Sequence, residues 1–84
     1  MKAVTYSAAS VRALRRLPRN VRTRIVAKVG DYAADPASLA NNVTALRGEP
    51  GAIRLRVGDW RVVMIETGTE IQVVRIGPRG SIYE

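Results

Sequence analysis

IRLRVGDWRVVMIE, residues 53–66, is the stretch that decides how this chain folds. Residues 53–57 alternate apolar and cationic side chains, Gly58-Asp59 is a turn signal, and Trp60–Glu66 is a second β-prone run. Period-two alternation marks a half-buried strand, and Gly at the first central position of a two-residue loop suits a type II′ hairpin. With Val57 paired to Trp60, Arg56 lies directly opposite Arg61, and Arg54 opposite Val63. Arg54, Arg56 and Arg61 then share one face of the sheet, while Ile53, Leu55, Val57, Trp60, Val62 and Met64 share the other. The second face is continuously apolar, and helices are expected to pack there.

Outward from the hairpin the pattern continues. Thr67-Gly68-Thr69 turns the chain into a further strand over residues 70–76, which Gly77-Pro78 is expected to end. A three-residue loop puts Arg75 opposite Arg61, and a four-residue loop sends it to the other face, so its side stays open. Upstream, residues 2–6 (KAVTY) are β-prone. Ser7 suits the N-cap of a helix beginning at Ala8, with Val11, Leu14 and Leu17 on one face and Pro18 ending it. Asn20 is the expected cap of a second helix, in which Val21, Ile25, Val29 and Tyr32 form an apolar stripe. Asp35-Pro36 stops that helix, because a residue before Pro is pushed out of the α region. Residues 36–51 read as a loop anchored by Leu39, Val43 and Leu46. The order β-α-α-β-β-β predicts an α+β fold: an N-terminal strand, an α-hairpin and a three-stranded antiparallel meander, with the helices on one face of the sheet.

Length and composition fit one domain over residues 1–84. The absence of Cys excludes a disulfide scaffold and a thiolate metal site, and the absence of His excludes a His-dependent catalytic triad. No metal and no cofactor are expected. The longest uncharged run, residues 36–46, is too short to span a bilayer, and no signal-peptide pattern begins the chain, so a cytoplasmic location without membrane contact is expected. The formal charge is +7, and of fourteen cations only Lys2 and Lys28 are Lys. Arg grips phosphate and carboxylate through a planar fork, although a G+C-rich genome also favours Arg codons. Residues 1–30 carry eight cations (Lys2, Arg12, Arg15, Arg16, Arg19, Arg22, Arg24, Lys28) and no acid, so the remainder is nearly neutral.

Placement matters more than the total. Like charges directly opposed on neighbouring strands are destabilising, so folding alone gives no reason to face Arg56 with Arg61. Two readings account for the pair: a site that receives an anion, or a solvated face whose Arg stems cover apolar surface. Residues 77–84 add a polar C-terminal group containing Arg79 and Tyr83, and Ile82 and Tyr83 favour its docking back on the sheet.

These residues together resemble the RelE toxins of the RelE/ParE superfamily, the toxin halves of bacterial type II toxin–antitoxin pairs. The resemblance runs through Leu14-Arg15-Arg16-Leu17-Pro18, Leu46-Arg47-Gly48-Glu49-Pro50-Gly51, Trp60-Arg61-Val62-Val63 and Val74-Arg75-Ile76-Gly77-Pro78-Arg79, closing on Tyr83. It implies a ribosome-dependent endoribonuclease that cuts mRNA in the A site, the substrate 2′-hydroxyl attacking the adjacent phosphorus. By matched position it implies a catalytic set of Arg56, Arg61, Arg79 and Tyr83, with Arg54 holding neighbouring RNA and Arg61 and Arg79 on the scissile phosphate. Arg12, Arg15, Arg16, Arg19 and Arg22, with Arg24 and Lys28, then read as a surface facing ribosomal RNA, or else as a solvated helix face. An acidic antitoxin is the implied partner, besides the ribosome and mRNA. The chain departs from the family pattern in carrying Arg54 and Arg56 where Lys is frequent, Pro78 where Lys or His is frequent, and Gly80 where another cation is frequent. Arg does not practically lose a proton, so Glu49 and Tyr83 are the remaining candidates for proton transfer. The alternatives are a ParE-like inhibitor of DNA gyrase with no nuclease activity, and a basic binding module with no activity of its own.

Overall fold

Packing of two helices against one apolar sheet face organises the computed structural model, which describes residues 1–80. In chain order the elements are β1 (Ala3–Tyr6), α1 (Ala8–Arg15), α2 (Arg19–Ala34), a 3-10 segment (Pro36–Asn42), β2 (Val43–Ala45), β3 (Ala52–Val57), β4 (Trp60–Glu66) and β5 (Glu70–Pro78). The five strands lie in the order β1-β5-β4-β3-β2. The β3–β4 register is the one the hairpin sequence dictates: Val57 faces Trp60, Arg56 faces Arg61, and Arg54 faces Val63.

The α+β architecture holds, with four corrections. β1 runs parallel to β5, so the sheet is mixed rather than a pure antiparallel meander. Residues 36–51 are not all loop, because Val43–Ala45 pairs with β3 as an edge strand. A three-residue strand lacks the length for an alternation signal, which hid it. Asn20 does not cap α2: the helix starts at Arg19, two residues before the start an Asn20 cap implies, and Pro18 occupies the cap position without a side-chain hydrogen bond. β5 also continues through Gly77 and Pro78, since Pro78 still pairs with Trp60.

Ser7 does cap α1, its Oγ accepting from the Ser10 amide at 3.1 Å. The apolar stripe of α2 behaves as its spacing demands. Ile25, Val29 and Tyr32 are buried against Leu55, Val62 and Met64 from the sheet, with Ile71 and Val73 from β5 completing the layer. Each such aliphatic side chain contributes about 1.5–3 kcal/mol on full burial.

β5 carries the irregularity that matters most for the site. Met64 pairs with Val73 but Val63 pairs with Arg75, so Val74 is an extra residue, a β-bulge. The carbonyls around it are satisfied by α1. Ser7 Oγ donates to the Val74 carbonyl at 3.0 Å, and the Ser7 amide donates to the Val73 carbonyl at 2.9 Å. Ser10, fully buried, places its Oγ 3.0 Å from the same Val73 carbonyl.

At the other end of the helix layer, Glu66 joins three elements. Its Oε2 accepts from Lys2 Nζ at 2.8 Å and its Oε1 from the Tyr32 hydroxyl at 2.7 Å. The Lys2 and Tyr32 hydrogen bonds hold the Glu66 carboxyl below its usual value, against a smaller opposing effect of burial. Burial, with the bond to Glu66 second, pushes the Tyr32 phenol up to about 12.

The lowered Glu66 value means a contribution present above the unfolded carboxylate range and lost as pH falls through the folded value. The raised Tyr32 value means a contribution present below pH 10 and lost as pH rises from 10 toward about 12. The Lys2 and Glu66 side chains are 31% and 24% exposed, which limits their pair to at most about 1 kcal/mol. Glu66→Gln is expected to flatten the acid limb of a urea-unfolding series between about pH 5 and 3. An unchanged acid limb would remove Glu66 from that role.

Candidate functional site: an arginine face and its hairpin turn

The face of the sheet away from the helices is built in rungs, each one strand register deep. At the turn end, Arg56 faces Arg61, and Arg61 faces Gly77, which places no side chain on that rung. The next rung is Arg54, Val63 and Arg75, and the one after it Ala52, Ile65 and Gln72. Arg75 reaches this face through two offsets that cancel. Glu66 pairs with Ile71, so the β4–β5 turn takes residues 67–70, which alone sends Arg75 to the helix side. The bulge at Val74 shifts the register once more and returns it to the arginine face.

The Gly58-Asp59 turn gathers further cations. Arg61 Nη1 donates to the carbonyls of Gly58 at 3.0 Å and Trp60 at 2.9 Å, which fixes its guanidinium beside the turn. The Arg79 amide donates to the Asp59 carbonyl at 2.8 Å, so the chain after β5 is tied to the same turn. Arg24, on α2, arrives from the helix side. A Cβ added at Gly58, whose φ is +59°, would lie 2.5 Å from Arg24 Nη2. Sequence reasoning placed Arg24 with the other helix cations; nothing in helical spacing signals that it reaches a distant hairpin turn.

The sequence-derived set therefore divides. Arg54, Arg56 and Arg61 share one face, and Arg79 is brought to their turn. Arg54 and Arg61 are half-buried and Arg56 is exposed. Arg12, Arg15, Arg16 and Arg19 are exposed and Arg22 is half-buried, all on the helix layer rather than the arginine face. Tyr83, and the expected docking of the C-terminal residues, lie outside the described residues. Glu49 is not beside Arg61: it belongs to the 46–51 loop at the Ala52 end, where its carbonyl accepts from the Ala52 amide at 3.1 Å.

That loop is folded back over the arginine face. Leu46 and Ala52 are joined by an amide–carbonyl bond of 2.9 Å, and Glu66 donates to the Gly51 carbonyl at 2.8 Å. Gly51 has φ +81°, and a Cβ there would come within 2.6 Å of the Glu66 carbonyl oxygen. Between loop and sheet lies a cavity of about 390 Å³ lined by Leu46, Arg47, Glu49, Ala52, Val63, Ile65, Val74 and Arg75.

Chemically the face offers a row of cations and hydrogen-bond donors, with Arg61 held in place by its own turn. Such a row suits a polyanion whose charges follow one another along a chain, because each Arg presents a planar donor fork to one phosphate. Arg56→Thr is expected to stabilise the free protein by some tenths of a kcal/mol, by relieving the opposition to Arg61. The same change should reduce the rise in melting temperature produced by sulfate over chloride at equal ionic strength. A solvated, non-binding face would instead show no sulfate-specific rise in the parent protein.

Comparison with known proteins agrees with this architecture. No curated protein sequence matches the chain. Among solved structures it is similar to an archaeal RelE–RelB complex from Pyrococcus horikoshii, at 25% identity and a TM-score of 0.80, covering 95% of this chain and 97% of that one. The toxin–antitoxin complex RelBE2 of Mycobacterium tuberculosis gives 23% identity and a TM-score of 0.77 over 93% and 98% of the two chains. The isolated RelE toxin of E. coli gives 18% and 0.78 over 94% and 85%. The model of the ParE toxin family of type II toxin–antitoxin systems matches residues 4–83. With nearly its whole length matched, the chain belongs to that family, and it is a toxin of the RelE/ParE superfamily.

Proposed function

We propose that the chain is a ribosome-dependent endoribonuclease, the toxin of a pair whose antitoxin blocks the arginine face. The observation that carries this reading is the rung on which Arg56 opposes Arg61, backed by Arg54 and Arg75 and tied through Asp59 to Arg79. Cytoplasmic mRNA is the substrate. The 2′-hydroxyl oxygen forms a bond to the adjacent phosphorus, the bond from phosphorus to the 5′-oxygen breaks, and the products are a 2′,3′-cyclic phosphate and a 5′-hydroxyl. The hydroxyl proton leaves as the first bond forms, and the departing 5′-oxygen takes one up.

Charge builds on the non-bridging oxygens between those events, and Arg61 and Arg79 are assigned to them. Arg61 is suited to this because two backbone carbonyls already hold its guanidinium, so little reorganisation is needed when charge develops. Arg54 and Arg56 hold the neighbouring phosphates, and Tyr83 exchanges the proton or orients a base. The cations of α1 and α2 face ribosomal RNA, where phosphate contacts give affinity and orientation without sequence choice.

Inhibition of DNA gyrase on the same fold is the second reading. It is favoured by the proton-transfer inventory, since the described residues put no titratable group other than Arg on the Arg56–Arg61 rung. Adding the protein to a translating extract and mapping 5′ ends on the message separates the two. Cleavage within codons is expected, falling roughly 10²–10³-fold in Arg61→Ala. Intact message together with lost supercoiling would establish the gyrase reading instead.

A further inference from the structure

The cavity between the 46–51 loop and the sheet is left over by the chemistry above. Its floor is apolar, formed by Val63, Ile65 and Val74, and its rim carries Arg47, Arg75 and Glu49. About 390 Å³ lies in the range of small-ligand sites, which combine apolar walls with a few polar groups that fix orientation. Among the described residues no ion pair joins Glu49 to either arginine, so the rim keeps both donor forks and an acceptor for a ligand.

We infer that this cavity is a base-binding pocket: it receives one unstacked base of the single-stranded RNA whose backbone runs along the arginine face. The inference rests on the ribonuclease reading and extends it from phosphate contact to base selection. Three features identify the occupant. The pocket is continuous with the phosphate row, because Val63 of its floor is the rung partner of both Arg54 and Arg75. Val63 is two residues from Arg61 along β4, about 7 Å, a step of the order of one nucleotide in an extended strand. The wall chemistry also matches, since single-stranded RNA is recognised by splaying bases onto apolar or guanidinium planes and bonding their edges.

The rim groups divide the recognition. Arg47 and Arg75 supply donors to ring nitrogens and carbonyl oxygens, while an ionised Glu49 only accepts, and so selects amino or imino hydrogens on the base edge. Glu49 is thereby a specificity residue rather than a proton-transfer group, consistent with its distance from the Arg56–Arg61 rung. The loop that carries it is held by the Leu46–Ala52 and Gly51–Glu66 backbone bonds, which keeps the pocket formed without a ligand.

The test is cleavage-site mapping on translating ribosomes with the parent protein, Glu49→Gln and Val74→Trp, the last filling the cavity. The parent is expected to show a base preference at one fixed position beside the cut. Glu49→Gln, which exchanges an acceptor for a mixed donor and acceptor, should change that preference roughly tenfold at that position alone. Val74→Trp should erase the preference, with antitoxin binding serving as the check that it has folded. Active variants with an unaltered preference overturn the pocket while leaving the ribonuclease reading intact. A loss of antitoxin affinity with an unaltered cutting pattern assigns the cavity to the protein partner and overturns the inference as well. A parent protein that cuts nothing overturns both.

Discussion

The bulge at Val74 is the constraint on which the rest of the site depends. Without an extra residue in β5, the register set by the 67–70 turn would direct Arg75 toward the helix layer and the apolar core. With it, Arg75 joins Arg54 and Val63 on the outer face, while Ile71, Val73 and Ile76 all remain buried on the inner one. The bulge disturbs the ladder locally, and Ser7, the cap of α1, together with Ser10 inside it supplies the hydrogen bonds that compensate. Helix capping, helix docking and the placement of Arg75 on the outer face are therefore one local arrangement. A single hydroxyl, that of Ser7, both caps α1 and holds the Val74 carbonyl.

Charge explains how such a site coexists with a stable fold. The cost of opposing Arg56 to Arg61 is small beside the apolar burial on the other side of the same strands, where Leu55 and Val62 are fully enclosed. The sheet tolerates an unfavourable outer face because its inner face is satisfied. Arg61 adds a local gain by bonding its own turn, so its position is maintained before any anion arrives. The net result is a cationic row on the outer face, in a protein whose family consists of toxins of type II toxin–antitoxin systems.

Much of this was legible in the chain. The 53–66 hairpin fixed its own register, because a two-residue turn between alternating runs leaves one pairing that buries the apolar set. The α2 stripe was equally direct. What escaped has physical reasons. β2 is three residues long and gains its strand character only from the neighbouring β3. The side taken by Arg75 depended on a bulge whose compensating bonds come from residues more than sixty positions away. Arg24 at the hairpin turn and the cavity under the 46–51 loop are tertiary facts, and no periodicity encodes them.

The central proposal is that the arginine face, and not the basic helix layer, receives the backbone of the substrate RNA. Nitrogen-15 NMR of the Arg side-chain Nε–H groups tests it, using a short RNA methylated at every 2′-oxygen so that no cleavage occurs. Saturable shifts at Arg54, Arg56, Arg61 and Arg79, larger than any at Arg12, Arg15 and Arg16, are the expected result. Shifts confined to the helix arginines, with the sheet arginines unmoved, would contradict the account.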